Sequence, residues 1–273
     1  MLTWEKIDAV DGWYGFHSYA LWRGLLDFQK AQGIRGDLFE IGVWRGRSAA
    51  VLASYQEEGE TLYLCDLKVD DAAIRTAFES VGAAGRKLVA ISAPSSQLPG
   101  RLDLRALHQS VRWMHIDGEH TGSAVYSELE LAHQLARPDG LVVIDDFFSP
   151  RYPANTTEAV RYLEKNPFHF RLFAVSFNKG YFCRPESLAK YMDFAAGNLS
   201  EALLGYGCKT TLFKTTGAFD TDAIGITGFV DEAGRIAGPD NDPHYWNMLR
   251  QQPVRSLRAR LRNAWRELRR RQG

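Results

Sequence analysis

Apolar positions between residues 37 and 184 recur in short runs separated by amphipathic stretches, and the pattern predicts the elements. Residues 37–43 form an apolar run of strand length, and 61–67, 87–91, 111–116 and 141–144 are four more. Runs of this length, bounded by turn residues, read as buried strands. Residues 48–55, 71–81, 123–136 and 156–165 lie between or after them and read as helices. Ser48 is placed as the N-cap of the first helix, and Arg137-Pro-Asp-Gly140 as the stop of the third. Residues 170–177 and 181–184 read as two further strands, with Asn178-Lys179-Gly180 as the hairpin turn between them. Ahead of all this, residues 1–35 are rich in aromatics (Trp4, Trp13, Tyr14, Phe16, Tyr19, Trp22, Phe28), with helical spacing over 18–32.

Strands alternating with helices predict an α/β fold, a doubly wound and mostly parallel sheet to which the hairpin adds one antiparallel strand. In such sheets ligands bind beyond the carboxyl ends of the strands, where strand order reverses, so the residues that follow each strand carry the chemistry. Four regions are expected. Residues 1–35 form an N-terminal helical segment that either packs into the core or folds over the site as a lid. Residues 36–185 form the ligand-binding domain. Residues 186–254 form a C-terminal extension with a hairpin over 224–236, expected beside the mouth of the site as a substrate cap. Residues 255–273 form a basic amphipathic helix.

Composition sharpens parts of this. The chain has 273 residues, 45% of them hydrophobic, which suits one α/β domain with extensions and excludes a disordered chain. Its 33 basic and 33 acidic residues balance, but residues 255–273 hold eight Arg and one Glu, which leaves 25 basic against 32 acidic residues in the rest. Leu257, Leu261, Trp265 and Leu268 give the tail one apolar stripe. Such a helix packs on the acidic body, on a second copy in a homo-oligomer, or on an anionic membrane surface. An acidic body argues against nucleic acid. Cys65, Cys183 and Cys208 fit neither a zinc site nor a disulfide framework, and the first two fall in apolar runs as buried thiols. No signal-peptide pattern opens the chain and no apolar run approaches membrane-spanning length, so a cytoplasmic location is expected.

The first strand runs into Glu40-Ile-Gly42-Val-Trp-Arg-Gly46-Arg-Ser48. Glycines here let backbone approach a ligand, and the following helix presents free amides. The spacing is not GxGxxG, and the acidic Glu40 would serve a pyrophosphate poorly, which disfavours a nicotinamide oxidoreductase. A cationic cofactor such as S-adenosylmethionine (SAM) suits it, with Glu40, Gly42, Val43, Trp44, Gly46 and Ser48 as its cradle. Asp66, at the end of the second strand, can accept from both ribose hydroxyls. Ser95, in the segment after the third strand, is placed at the adenine edge.

The fourth strand ends in His115-Ile-Asp117-Gly-Glu-His120 and the fifth in Asp145-Asp146. Neighbouring strands would bring Asp117, Asp145 and Asp146 together beside the cofactor, where three carboxylates either shift their pKa values or gather a cation. All-oxygen donors favour Mg²⁺. A metal-bound hydroxyl loses its proton more readily, and His120 is the candidate base, with Asp117 beside it. No role is assigned to His115.

These residues resemble the class I SAM-dependent methyltransferases, and more narrowly the metal-dependent sugar O-methyltransferases of the macrocin O-methyltransferase and cephalosporin hydroxylase-like family. The resemblance rests on the 40–46 loop, on Ile116-Asp-Gly-Glu-His120 with Glu119 where Asp is commoner, and on Arg137-Pro-Asp-Gly140 followed by Asp145-Asp146. It implies a seven-stranded sheet of order 3-2-1-4-5-7-6, cofactor contact at Asp117, metal ligation by Asp117, Asp145 and Asp146, His120 as base, and Mg²⁺-assisted methyl transfer from SAM to a sugar or other small hydroxylated acceptor. The alternatives are a metal-independent SAM methyltransferase and a non-catalytic SAM- or glycan-binding subunit.

Overall fold

A computed structural model describes residues 2–216, 221–230 and 236–237. The basic tail and the 231–235 turn of the expected hairpin lie outside the described residues. In chain order the elements are α1 (Trp4–Asp8), α2 (Phe16–Ala31), β1 (Asp37–Ile41), α3 (Arg47–Tyr55), β2 (Leu62–Asp66), α4 (Asp71–Ser80), β3 (Leu88–Ser92), β4 (Val111–Ile116), α5 (Gly122–Leu135), β5 (Ala136–Ile144), α6 (Pro153–Lys165), β6 (Arg171–Ser176), β7 (Lys179–Cys183), α7 (Leu188–Gly197), α8 (Leu199–Gly205), β8 (Thr210–Thr216), β9 (Asp222–Val230) and β10 (Ile236–Ala237).

The first seven strands lie in the order β3-β2-β1-β4-β5-β7-β6, with β7 antiparallel to both neighbours. The sheet continues past β6 through a parallel β9, which pairs antiparallel with β8 and β10. Alternation along each strand divides the core in two. Leu38, Trp113, Leu141, Val143, Tyr181 and Cys183 face the layer of α2, α3, α7 and α8. Phe39, Met114, Ile116, Val142, Ile144 and Phe182 face α5 and α6. Helix α2 is part of this core, since Trp22, Leu25 and Leu26 are fully buried. Its buried Gln29 bonds the Arg112 guanidinium at 3.0 Å, and Arg112 forms a two-pronged ion pair with Glu60 at 2.9 and 3.0 Å. Cys65, Cys183 and Cys208 are buried free thiols.

Three local expectations change. Helix α3 starts at Arg47 behind a left-handed Gly46 (φ 86°) with no side-chain cap, so Ser48 lies inside its first turn instead of capping it. The chain passes from α5 into β5 at Ala136 without a separate turn, and Arg137–Gly140 is already extended. The β6–β7 turn is Phe177-Asn178, both left-handed (φ 42° and 70°), which is the two-residue hairpin geometry that matches strand twist. Lys179 is therefore the first residue of β7.

The extension is placed by its strands. Helices α7 and α8 cover α2 and β6, while β8 and β9 lengthen the sheet at its β6 edge. The β9–β10 pair bears out the hairpin pairing of 224–236, although none of the described residues after Lys179 lines the cavity treated next. Among the described residues no helix is long and apolar enough to cross a membrane.

Candidate active site

A cavity of about 550 Å³ opens at the carboxyl ends of β1, β2, β4 and β5, the range of a small-molecule site. One half is built from the loop after β1. Gly42 is left-handed (φ 84°), and a methyl group built on it would sit 1.7 Å from the Asp117 carbonyl oxygen, so only glycine lets the two strand ends approach this closely. Asp66 fixes the loop: its Oδ2 accepts from Val43 N at 2.8 Å and from Trp44 N at 3.0 Å. Its Oδ1 has one long contact, 3.3 Å from Lys68 N, and retains capacity for a ligand hydroxyl. Gly42, Val43, Trp44, Ser48, Asp66, Ser95 and Asp117 all line the cavity, while Gly46 packs against Ile74 one layer behind.

The N-terminal segment closes one side. Asp11, Gly12, Trp13 and Tyr14 line the cavity, and the exposed Trp13 indole stacks on that of Trp44 with ring centroids 5.6 Å apart. Arg47 staples this segment down. Its guanidinium donates to the carbonyls of Val10, Asp8 (3.0 Å) and Tyr14 (3.1 Å) and pairs with the Asp8 carboxylate at 3.3 Å. Within this segment α2 lies in the core and residues 11–14 line the cavity wall.

The other half is charged. Registers pair Glu40 with His115 and His115 with Val143, so Glu40, His115, Asp117 and Asp145 project to one face of the sheet. Glu40 does not reach the cavity. It is fully buried, and its Oε1 lies 2.7 Å from His115 Nδ1. His115, which was given no role, lines the cavity in its place. The Lys179 ammonium lies 2.5 Å from Asp145 Oδ1, and both side chains are well buried. Burial and the neighbouring Asp145 push the Asp117 carboxyl well above its usual range. Burial works the other way on Asp145 than its partners do, and the Lys179 ammonium and His115 hold its pKa at about 2. One carboxyl lifted and its neighbour lowered is the signature of an acid pair that avoids double charge.

Residues 39–147, the segment that carries all these strand ends but β7, match the family model described as a methyltransferase domain, Methyltransf_24. Over that segment the chain is similar to methyltransferase domains, and the order of its first seven strands is that of the class I methyltransferase fold. Among solved structures, the O-methyltransferase NovP aligns at 14% identity over 61% of this chain and 80% of its own, with a TM-score of 0.50. A protein from Corynebacterium glutamicum aligns at 13% identity over 67% of this chain and 91% of its own, with a TM-score of 0.52. At such identities these likenesses establish the fold. No protein of curated function matches the chain by sequence.

The hydrogen bonds around His120 select one tautomer of its neutral form. Asn155 Nδ2 is 3.3 Å from the Asp145 carbonyl, which can only accept, so the amide nitrogen is the atom on that side. The same nitrogen is 3.1 Å from His120 Nδ1. Nδ1 therefore accepts, and neutral His120 carries its proton on Nε2, 3.5 Å from Asp117 Oδ1 and 3.6 Å from Asp146 Oδ2. His120 presents a donor to the two carboxylates rather than a free lone pair to an acceptor. His120 (φ 57°), Asp146 (φ 51°) and Trp44 (φ 49°) are all left-handed non-glycine residues at this edge. Strain of about 1–3 kcal/mol each is retained where the surrounding structure fixes a functional geometry.

The expected Mg²⁺ trio is not assembled. The turn after β5, left-handed at Asp146 (φ 51°), swings Asp146 away from Asp145 to the Asn178 amide and toward His120. The donors gathered within 4.8 Å of one another are His115, Asp117 and Asp145. Asp145 among them is already bound to Lys179. An ion on the same carboxylate at ~2.1 Å would lie roughly 5 Å from the ammonium. At an effective dielectric of ~20 that ammonium would offset about 7 kcal/mol of the ion's attraction to the carboxylates. The residues present do not fit the hard, oxygen-only site that Mg²⁺ requires.

Proposed function

We propose that this chain is a SAM-dependent O-methyltransferase acting on a hydroxyl of a sugar or another small hydroxylated acceptor. One observation carries the reading: a single cavity joins the Gly42 loop and Asp66 to Asp117, so a cofactor cradle and a proton-accepting carboxyl share one space. The cradle suits a cofactor with ribose hydroxyls and net positive charge, because Asp66, Asp117, Glu119 and Asp145 line it and Arg47 is turned to the N-terminal segment. A pyrophosphate would face those same carboxylates. When bound, SAM supplies a methyl group on a sulfonium.

The chain's own residues then do three things. Asp66, through its less-engaged Oδ1, and the glycine loop that its Oδ2 fixes hold the cofactor end. Asp117, its basicity raised by burial and by Asp145, would take the acceptor's hydroxyl proton, and the SAM held by Asp66 and the loop would supply the methyl group to that oxygen. His120 Nε2–H positions the Asp117 carboxylate. The products are a methyl ether, the neutral thioether and a proton on Asp117 that passes to solvent.

Calorimetry tests the cofactor: one equivalent of SAM is expected to bind, and NAD not to bind. Binding of NAD in preference to SAM would overturn the reading. Radiolabelled SAM with a panel of sugars, nucleotide sugars and glycosylated compounds then tests the acceptor class. Arg47→Ala should free residues 8–14 and raise the SAM dissociation constant by about tenfold, or 1.4 kcal/mol. Faster proteolysis near Asp11 with unchanged thermal stability would mark the effect as local.

A further inference from the structure

The acidic face of this site already contains a cation, and that cation is a side chain. The β5–β7 ladder pairs Val143 with Tyr181 and Ile144 with Gly180, so its next step sets Lys179 opposite Asp145. Backbone fixes the placement. The Phe177-Asn178 turn is left-handed at both residues, and the Asn178 carbonyl accepts from Phe147 N at 2.9 Å, which locks the hairpin tip to the segment carrying Asp145 and Asp146. The tip then supplies both carboxylates with partners. Lys179 Nζ takes Asp145 Oδ1, which also accepts from Asp146 N at 2.8 Å, and the Asn178 amide takes Asp146 Oδ1.

We propose that Lys179 is the resident cation of the site, standing where a divalent metal would otherwise gather these acids, and that methyl transfer here needs no such metal. A lone buried ammonium or carboxylate would be severely destabilised, but as a pair they satisfy one another. Lys179 also lines the cavity, so its charge faces the space where an acceptor oxygen would gain negative charge. It keeps its own protons throughout, since the acceptor's proton passes to Asp117. The activity part of this inference rests on the methyl-transfer reading, whereas the metal part does not.

The test is a titration of the full chain with Mn²⁺, followed by the electron paramagnetic resonance signal of the free ion, with and without SAM. The wild-type chain is expected to leave that signal unchanged. Lys179→Met, which keeps the stem and removes the charge, is expected to bind Mn²⁺ more tightly by about tenfold or more. Asp145→Asn placed on Lys179→Met should abolish that gain. Stoichiometric binding by the wild-type chain that Asp145→Asn removes would overturn the proposal, whether or not Lys179→Met folds. So would a folded Lys179→Met that gains no affinity. Once an acceptor is found, turnover should be the same in EDTA as in Mg²⁺, and loss in EDTA restored by Mg²⁺ would also overturn it. Failure to bind SAM would instead defeat the proposed function and leave the Mn²⁺ result standing.

Discussion

Gly42→Ala is expected to abolish SAM binding and to lower the melting temperature by roughly 10 °C or more, with 1 kcal/mol worth about 2–4 °C in a chain of this size. The added methyl would sit 1.7 Å from the Asp117 carbonyl oxygen and 2.5 Å from its carbon, both backbone atoms, so no side-chain rotation relieves it. Neither partner can retreat easily. Asp117 N donates to Ile41 O at 2.8 Å and Gly42 N to Cys65 O at 2.8 Å, which ties the ends of β1, β2 and β4 together. The left-handed backbone at φ 84° adds about 1–2 kcal/mol for any residue with a Cβ. Relief by displacing the Asp117 segment places the total in the exceptional range of about 4 kcal/mol or more. Gly59→Ala is the control: it is also left-handed (φ 85°) but has nothing within 4 Å, so it should show the backbone cost alone. Thermal denaturation and SAM calorimetry on both variants separate strain from clash. A Gly42→Ala chain that binds SAM normally would remove the loop from the site.

Much of this site was readable from the strands alone, because buried runs ending in Gly, Asp or His locate the strand tips of a parallel sheet. The sheet order and the placement of Asp66, Asp117 and Asp145 followed from that pattern and from the family resemblance. Lys179 was missed through a shift in the hairpin turn. Reading the turn as Asn178-Lys179-Gly180 made the lysine a solvated turn residue. With the turn at Phe177-Asn178, Lys179 joins Tyr181 and Cys183 on one face of β7, opposite Asp145. Side chains alternate with period two, so the boundary of one turn decides whether a charge is in water or in the core. The same alternation was available for His115, which shares parity with Asp117. It does not reach Asp146, which lies past the end of β5 and is turned by its own left-handed backbone (φ 51°). Glu40 could not be placed from sequence, since only the β1–β4 register shows that it meets His115 instead of the cavity.

Asp117→Asn separates the proton-accepting role from the structural ones. The amide keeps the size and shape of the carboxyl and can still bond to Asp145 and His120, but it cannot take a proton from an acceptor hydroxyl. A positioned base contributes about 10²- to 10⁴-fold, so kcat should fall by that factor, about 3–5 kcal/mol in the barrier. SAM affinity should change little, because Gly42 is set against the Asp117 main chain rather than its carboxyl. Stability should hold or rise. Asp117 and Asp145 sit together with their pKa values driven apart, and making one of them neutral removes a repulsion the fold otherwise carries. A more stable, SAM-binding and nearly inactive variant is the combination that a purely structural Asp117 would not give, since losing a structural residue lowers the melting temperature along with activity. The measurements are single-turnover methyl transfer, SAM calorimetry and thermal denaturation on the same preparation. His120→Gln offers the companion result: it retains a donor toward Asp117 and should lose far less activity than Asp117→Asn. If the order were reversed, with His120→Gln the more damaging, the imidazole and not the carboxyl would be the base.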